Sequence, residues 1–194
     1  MKHIFVVNPA AGKGKKLPAV LSSITYACEE LDADYEIYHT VTVGDGIRFV
    51  REKCEKNPGE PMRFYACGGD GTLYEVINGA VGCPTAEVAV VPSGTGNDFI
   101  KAFSSPELFS DIKRQLLGRP ERLDLIRYNN KYCINVLNIG FDCDVVQKVS
   151  EIKRSALVPS KLAYLFSVAD IFTKTFGKSF KVLIDDRELI EREF

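Results

Sequence analysis

Arg63-Phe64-Tyr65-Ala66-Cys67-Gly68-Gly69-Asp70-Gly71-Thr72 runs from an apolar stretch into a turn of glycine and aspartate. The stretch reads as a strand. Beyond the turn, Leu73, Val76, Ile77 and Ala80 fall on one face of a helix. Three glycines remove Cβ atoms, so the backbone can approach an oxyanion there. The amides of Gly71 and Thr72 are expected to point outward at the helix N-terminus, which favours phosphate. Asp70 is the informative residue. A carboxylate beside phosphate is repulsive unless a cation intervenes, and Mg²⁺ with retained waters resolves the conflict. The alternative is a structural glycine turn with a solvated aspartate.

The same alternation extends on both sides. Ile4-Phe5-Val6-Val7 is a continuous apolar run ending at Asn8-Pro9 and suits a strand buried on both faces. Leu17, Val20, Leu21, Ile24, Ala27, Cys28 and Leu31 recur at helical spacing. Tyr35 to Thr40 reads as a strand, and Ile47, Val50 and Cys54 mark a helix ending near Asn57-Pro58-Gly59. Val88 to Val91 is a fourth strand, broken by Pro92-Ser93-Gly94-Thr95-Gly96-Asn97-Asp98. Strands alternating with helices predict an α/β fold, a parallel sheet covered on both faces, with ligands at the carboxyl edge of the strands. If sheet order sets the turns side by side, Asp70 and Asp98 converge. The bland reading of the second turn is an N-cap cluster, with Asn97 or Asp98 capping a helix that carries Phe99 and Phe103. The turn from Asn8 to Lys16 is rich in glycine and lysine but lacks Walker A spacing.

The rhythm changes near Pro120. Leu123 to Tyr128 and Tyr132 to Gly140 read as a β-hairpin about Asn129-Asn130. Helical stretches are expected over roughly 142–155 and 160–176, followed by a strand from Phe180 to Ile184 and an Asp185-Asp186 turn. The expected organisation is therefore a nucleotide-binding domain over 1–119 and the beginning of a second, β-rich domain over 120–194. The second unit ends inside a returning strand, which makes the chain read as a fragment of something longer.

Composition narrows the class. The net charge of −1 gives no overall positive field to draw nucleic acid or a membrane, so any such attraction must be local, and no nucleic-acid partner is expected. The six cysteines form no CxxC pair and lie mostly among apolar residues, as expected of free thiols in a reducing, cytoplasmic compartment. No apolar run approaches the roughly 20 residues of a membrane span.

Asn8-Pro9-Ala10-Ala11-Gly12, Gly68-Gly69-Asp70-Gly71-Thr72 and Ser93-Gly94-Thr95-Gly96-Asn97-Asp98 together resemble the three signature motifs of the diacylglycerol kinase catalytic domain, a family that includes sphingosine and ceramide kinases. The segment with Asp124 and Asn138-Ile139-Gly140-Phe141-Asp142 resembles the start of its second domain, a β-sandwich. The resemblance implies a three-layer nucleotide-binding domain like those of phosphofructokinase and NAD kinase. It implies transfer of the γ-phosphoryl group of ATP to a lipid hydroxyl in phospholipid metabolism. ATP contacts would come from Asn8, Pro9, Ala10, Ala11, Gly12, Thr40, Gly68, Gly69, Asp70, Gly71, Thr72, Leu73, Tyr74, Ser93, Gly94 and Thr95. Asp70 and Asp98 would be catalytic, and Asp70, Asp98 and Asp124 would hold Mg²⁺ largely through water. Tyr74 departs from the family, which more often has Asn there, and the family's general base is expected beyond Phe194. Gly-Gly-Asp-Gly alone is shared with NAD kinases, the rival enzyme; a nucleotide-binding chain without activity is the rival of another class. The implied partner is a lipid at a membrane surface, reached from the cytoplasm, with peripheral attachment to the inner membrane and a homodimer left open. A local excess of basic residues from Lys148 to Lys181 is the candidate contact, against the blander reading of a solvated face over a buried stripe.

Overall fold

The computed structural model describes residues 1–138, 179–184 and 187–193. Four strands, β1 (Lys2–Val7), β2 (Tyr35–His39), β3 (Met62–Gly68) and β4 (Ala86–Pro92), form a parallel sheet in the order β2-β1-β3-β4. Ile4, Val6, Phe64 and Ala66 point to one face, where Val50 of α2 (Asp45–Lys56) and Leu73, Val76 and Ile77 of α3 (Asp70–Ala80) cover them. Phe5, Val7, Tyr65 and Cys67 point to the other, against Ile24, Ala27 and Cys28 of α1 (Leu17–Glu30) and Ile112 of α4 (Ile112–Leu117). Strands apolar on both sides thus sit between two helical layers, as their unbroken apolar runs require. Phe5 stacks on Tyr65 with ring centroids 4.2 Å apart, adding aromatic contact to the buried area.

Sheet order positions the site. From β1 the chain first moves to one side, to β2, then crosses to the other side, to β3. That reversal leaves a crevice between the turns following β1 and β3, where parallel sheets bind ligands. β4 lies next to β3, so the third glycine turn joins the same edge.

At the opposite, amino edge, the sheet is stapled. Arg63 at the start of β3 pairs with Glu87 at 2.6 Å and donates to the carbonyls of Gln115 (2.5 Å) and Gly118 (2.9 Å) at the end of α4. A buried guanidinium here satisfies carbonyls that a helix end leaves without partners. The sequence pattern does not predict α4: six residues carry too short a period to register.

A short antiparallel hairpin, β5 (Ile126–Tyr128) and β6 (Lys131–Cys133), turns at Asn129-Asn130 with Asn129 at φ +52°. Asn78 of α3 binds it as a strand would, donating to the Tyr132 carbonyl at 2.8 Å and accepting from its amide at 2.9 Å. The chain divides into two compact units, Met1–Asn135 and Val136–Phe194, so the hairpin lies within the first, although the sequence rhythm changes near Pro120. In the second unit β7 (Ser179–Ile184) and β8 (Arg187–Glu193) form an antiparallel hairpin. The helices expected over 142–155 and 160–176, and with them most of the expected β-sandwich and the basic segment, lie outside the described residues.

Cys28, Cys54, Cys67 and Cys83 are free thiols; Cys143 lies outside the described residues. Burial pushes the Cys28 thiol up to about 11, so it stays protonated and packs as an apolar group.

Candidate functional site

Three turns meet at the carboxyl edge, and their glycines are the points of contact. A Cβ on Gly94 would stand 2.4 Å from the Cα of Gly69, so the second and third turns touch backbone to backbone. A Cβ on Gly12, whose φ is +56°, would stand 2.5 Å from the Ser93 carbonyl oxygen, joining the first turn to the third. The Gly68 carbonyl accepts from the amides of Ser93 (2.8 Å) and Gly94 (3.1 Å), and the Asn8 side chain donates to the Thr72 hydroxyl at 3.3 Å. Asn8 also accepts from the Ala10 amide at 3.0 Å, which closes the first turn on itself.

Asp70 opens α3, and its Oδ1 accepts from the Phe99 amide at 3.2 Å. Its Oδ2 lies 3.1 Å from the point where a Gly96 Cβ would stand, and Asp98 Oδ2 lies 3.5 Å from the same point. The missing side chain of Gly96 therefore leaves a gap flanked by two carboxylates. Asp98 is exposed and its Oδ1 pairs with Lys101 at 2.6 Å. The expected helix after Asp98 is only a single 3-10 turn, Phe99–Ala102, and neither Asn97 nor Asp98 caps it. The cap expectation is corrected: Asp70, from the neighbouring turn, takes the Phe99 amide, while the Asn97 side chain donates to the Gly94 carbonyl at 3.0 Å.

Among the described residues the buried Oδ1 of Asn97 has no hydrogen-bond partner. A buried carbonyl oxygen left so costs about 1–3 kcal/mol until a donor arrives, and a water or ligand hydroxyl is such a donor. Beside it a cavity of about 10 Å³, lined by Gly69, Asp70, Asn97 and Phe99 among others, has room for about one water.

The structure separates the other sequence-predicted residues by what they can offer. Thr72 does not offer a free amide as expected, because its N–H closes the turn onto the Gly69 carbonyl at 2.9 Å. Gly71 does: it is exposed, nothing lies within 4 Å of its Cβ position, and among the described residues its amide has no acceptor. Leu73 is a core residue, 3% exposed, and its amide also bonds Gly69, at 3.1 Å. Ser93 is buried; Thr95 is exposed and Tyr74 half-buried. Pro9 and Ala10 lie in the first turn and Ala11 opens its 3-10 stretch, in which Lys13 takes φ +61°, rare for a residue with a side chain. Thr40 follows β2, its amide bonded to the Val7 carbonyl at 2.9 Å, one residue before Asn8. Asp124 is exposed on the approach to β5, and among the described residues no three acidic, histidine or cysteine side chains form a metal-sized group.

Sequence reasoning missed two carboxylates nearby. Asp45 is buried and accepts from Val41 N (3.0 Å), Tyr38 Oη (2.9 Å) and Arg48 Nη2 (2.5 Å). Burial pushes its carboxyl up, but these donors together hold it below the usual aspartate range. Glu75 accepts from the amides of Gly44 (2.8 Å) and Gly46 (2.9 Å). Glu75's partners are backbone amides about thirty positions away, which no side-chain pattern announces. A larger groove, about 310 Å³, is lined by Val88, Phe103, Leu108, Phe109 and Leu123 among others, and its Arg63 and Glu87 pair with each other.

Comparison with known proteins agrees with the motifs. The family model described as diacylglycerol kinase catalytic domain matches residues 2–128. The chain is 35% identical over 136 residues to a diacylglycerol kinase of Staphylococcus saprophyticus, covering 68% of this chain and 42% of that protein. It superposes with a TM-score of 0.63 and 25% identity on the crystal structure of a diacylglycerol kinase from Bacillus anthracis, covering 99% of this chain and 63% of the other. A relative from Staphylococcus haemolyticus is 27% identical over 176 residues, 55% of its length, so the chain spans about half the length of the curated relatives it matches. Among the described residues no helix is long and apolar enough to cross a membrane. With the family model matching well over half of its residues, this chain belongs to the diacylglycerol kinase catalytic domain family.

Proposed function

We propose that this chain is the ATP-binding part of a lipid kinase that moves the γ-phosphoryl group of ATP to a lipid hydroxyl such as that of diacylglycerol. One observation carries the reading: Asp70 and Asp98 flank the gap left by Gly96, on an edge built from three glycine turns. Two carboxylates beside an otherwise anion-receptive edge make chemical sense with a cation between them and a polyphosphate.

The residues fit such a group. Gly71 supplies an uncommitted amide at the N-terminus of α3, where the helix dipole favours an anion. Lys13, Lys15 and Lys16 are exposed around the first turn, placing positive charge along the same edge. Two carboxylates without a third suit Mg²⁺, which keeps several waters, better than a cation that needs a full protein cage. The unpartnered Asn97 Oδ1 is an acceptor for one such water or for a ligand hydroxyl. Asp70 and Asp98 would hold the ion, joined through water by Asp124; when bound, it would neutralise charge developing on the transferred phosphoryl group. The glycine turns position the phosphates, and Thr40 and Asn8 bound the nucleotide on the β1–β2 side. Phosphoryl transfer depends mainly on such positioning and charge neutralisation. The lipid acceptor would be met at a membrane surface, from the cytoplasmic side.

Radiolabelled ATP offered to the whole protein with diacylglycerol vesicles and NAD side by side tests the proposal. Label in the lipid supports it. Label in NAD, or in neither acceptor while ATP is bound, contradicts it.

A further inference from the structure

Helix α2 begins without a capping side chain. Its N-cap is Gly44, at φ +85°, and the first-turn amides of a helix need acceptors. They are supplied from outside by Glu75, five residues into α3, whose Oε1 takes the Gly44 amide and whose Oε2 takes the Gly46 amide. A Cβ on Gly46 would stand 2.7 Å from Glu75 Oε2, so glycine there is what admits the carboxylate. From the other side Asp45 accepts the Val41 amide.

The segment between, Thr40 to Gly44, is not held by apolar burial: Val41 is 81% and Val43 98% exposed. Its position comes from hydrogen bonds, those of Asp45 and Glu75 at its far end and that of Thr40 to Val7 at its near end. Glu75 belongs to the helix that Asp70 opens, so it ties the Thr40 segment to the phosphate-facing end of the site through one rigid element.

We infer that Glu75 is a positioning residue for the nucleotide: through its two backbone contacts it sets the loop carrying Thr40 against the turns carrying Asn8 and Asp70. The inference rests on the nucleotide reading above. It acts through the loop, so its effect must depend on Thr40.

The test is a double-mutant cycle read by MgATP titration of the wild type, Glu75→Gln, Thr40→Ala and the double variant, with amide hydrogen exchange measured without nucleotide. Glutamine keeps the shape but turns an N–H₂ toward one of the two backbone donors. Glu75→Gln is expected to weaken MgATP binding about tenfold, the scale of a lost charge-assisted hydrogen bond. In the Thr40→Ala background the same change should cost about twofold or less, because residues acting through one element are not additive. Gly44 and Gly46 should exchange faster in Glu75→Gln while β3 amides stay protected, which separates a loosened loop from a misfolded chain. Wild-type affinity in Glu75→Gln, full additivity with Thr40→Ala, or unchanged exchange at Gly44 and Gly46 overturns the inference alone. A wild-type chain that binds no MgATP overturns the nucleotide reading and the positioning role with it.

Discussion

The two ends of the sheet solve opposite problems with the same kinds of residue. At the amino edge a set of charges is paired within the protein. Arg63 meets Glu87 and α4 carbonyls, Lys2 and Lys53 share Glu36, and the His3 ring bonds the buried Tyr65 hydroxyl at 2.8 Å. At the carboxyl edge the polar groups have spare capacity among the described residues: Asp70 Oδ2 and Asn97 Oδ1 take no hydrogen bond there, and the Gly71 amide finds no acceptor. A satisfied polar cluster holds a fold together, whereas an unsatisfied one at a crevice is poised for something that is not protein. The contrast is what separates staple from site here, since glycines, carboxylates and cations occur at both.

Breaking the staple should give the largest effect. Arg63→Ala takes the guanidinium from Glu87 and from the carbonyls of Gln115, Leu116 and Gly118, and is expected to lower unfolding free energy by about 3 kcal/mol, the lower end for a broken buried pair because Glu87 is part-exposed. Urea denaturation checks it. A shift below about 0.5 kcal/mol would show that the amino edge is not the stapled end.

Asp45 sharpens the comparison because it sits on the site side of the sheet yet is fully partnered. Its folded carboxyl lies below the usual aspartate range, so its contribution is present above the unfolded value and is lost as pH falls through the folded one. The wild type should therefore lose stability between about pH 5 and pH 2 more steeply than Asp45→Asn, by a modest amount. Parallel curves from thermal melts across that range would place Asp45 among the indifferent surface charges.

Most of the frame could be read from the residues. Unbroken apolar runs at Ile4–Val7 and Phe64–Cys67 demanded a sheet covered on both faces, and glycine turns after them marked the edge that carries the candidate site. The meeting of Asp70 and Asp98 hung on strand order, which the pattern of one strand cannot reveal; β3 lying beside β4 supplies it. What stayed hidden was cross-chain satisfaction. Asp70 serving the Phe99 amide, Glu75 capping α2 and Asn78 pairing with Tyr132 join residues 29 to 54 positions apart, and the acceptor or donor on the far side is backbone. Backbone groups leave no trace in a residue pattern, so the expected Asn97 or Asp98 cap was replaced by one from another turn.

The central claim is that Asp70 holds a cation for a nucleotide without holding the fold. Isothermal titration of ATP against the wild type and Asp70→Asn, each with and without Mg²⁺, tests it most directly. Asparagine keeps an Oδ1 to accept the Phe99 amide, so the variant should unfold within about 0.5 kcal/mol of the wild type. The wild type should bind ATP much more tightly with Mg²⁺ than without, and Asp70→Asn should lose that Mg²⁺ dependence, weakening MgATP binding about a hundredfold, the scale of a lost charge contact in a partly enclosed site. Wild-type MgATP affinity in the variant would contradict the assignment and leave Asp70 a turn residue.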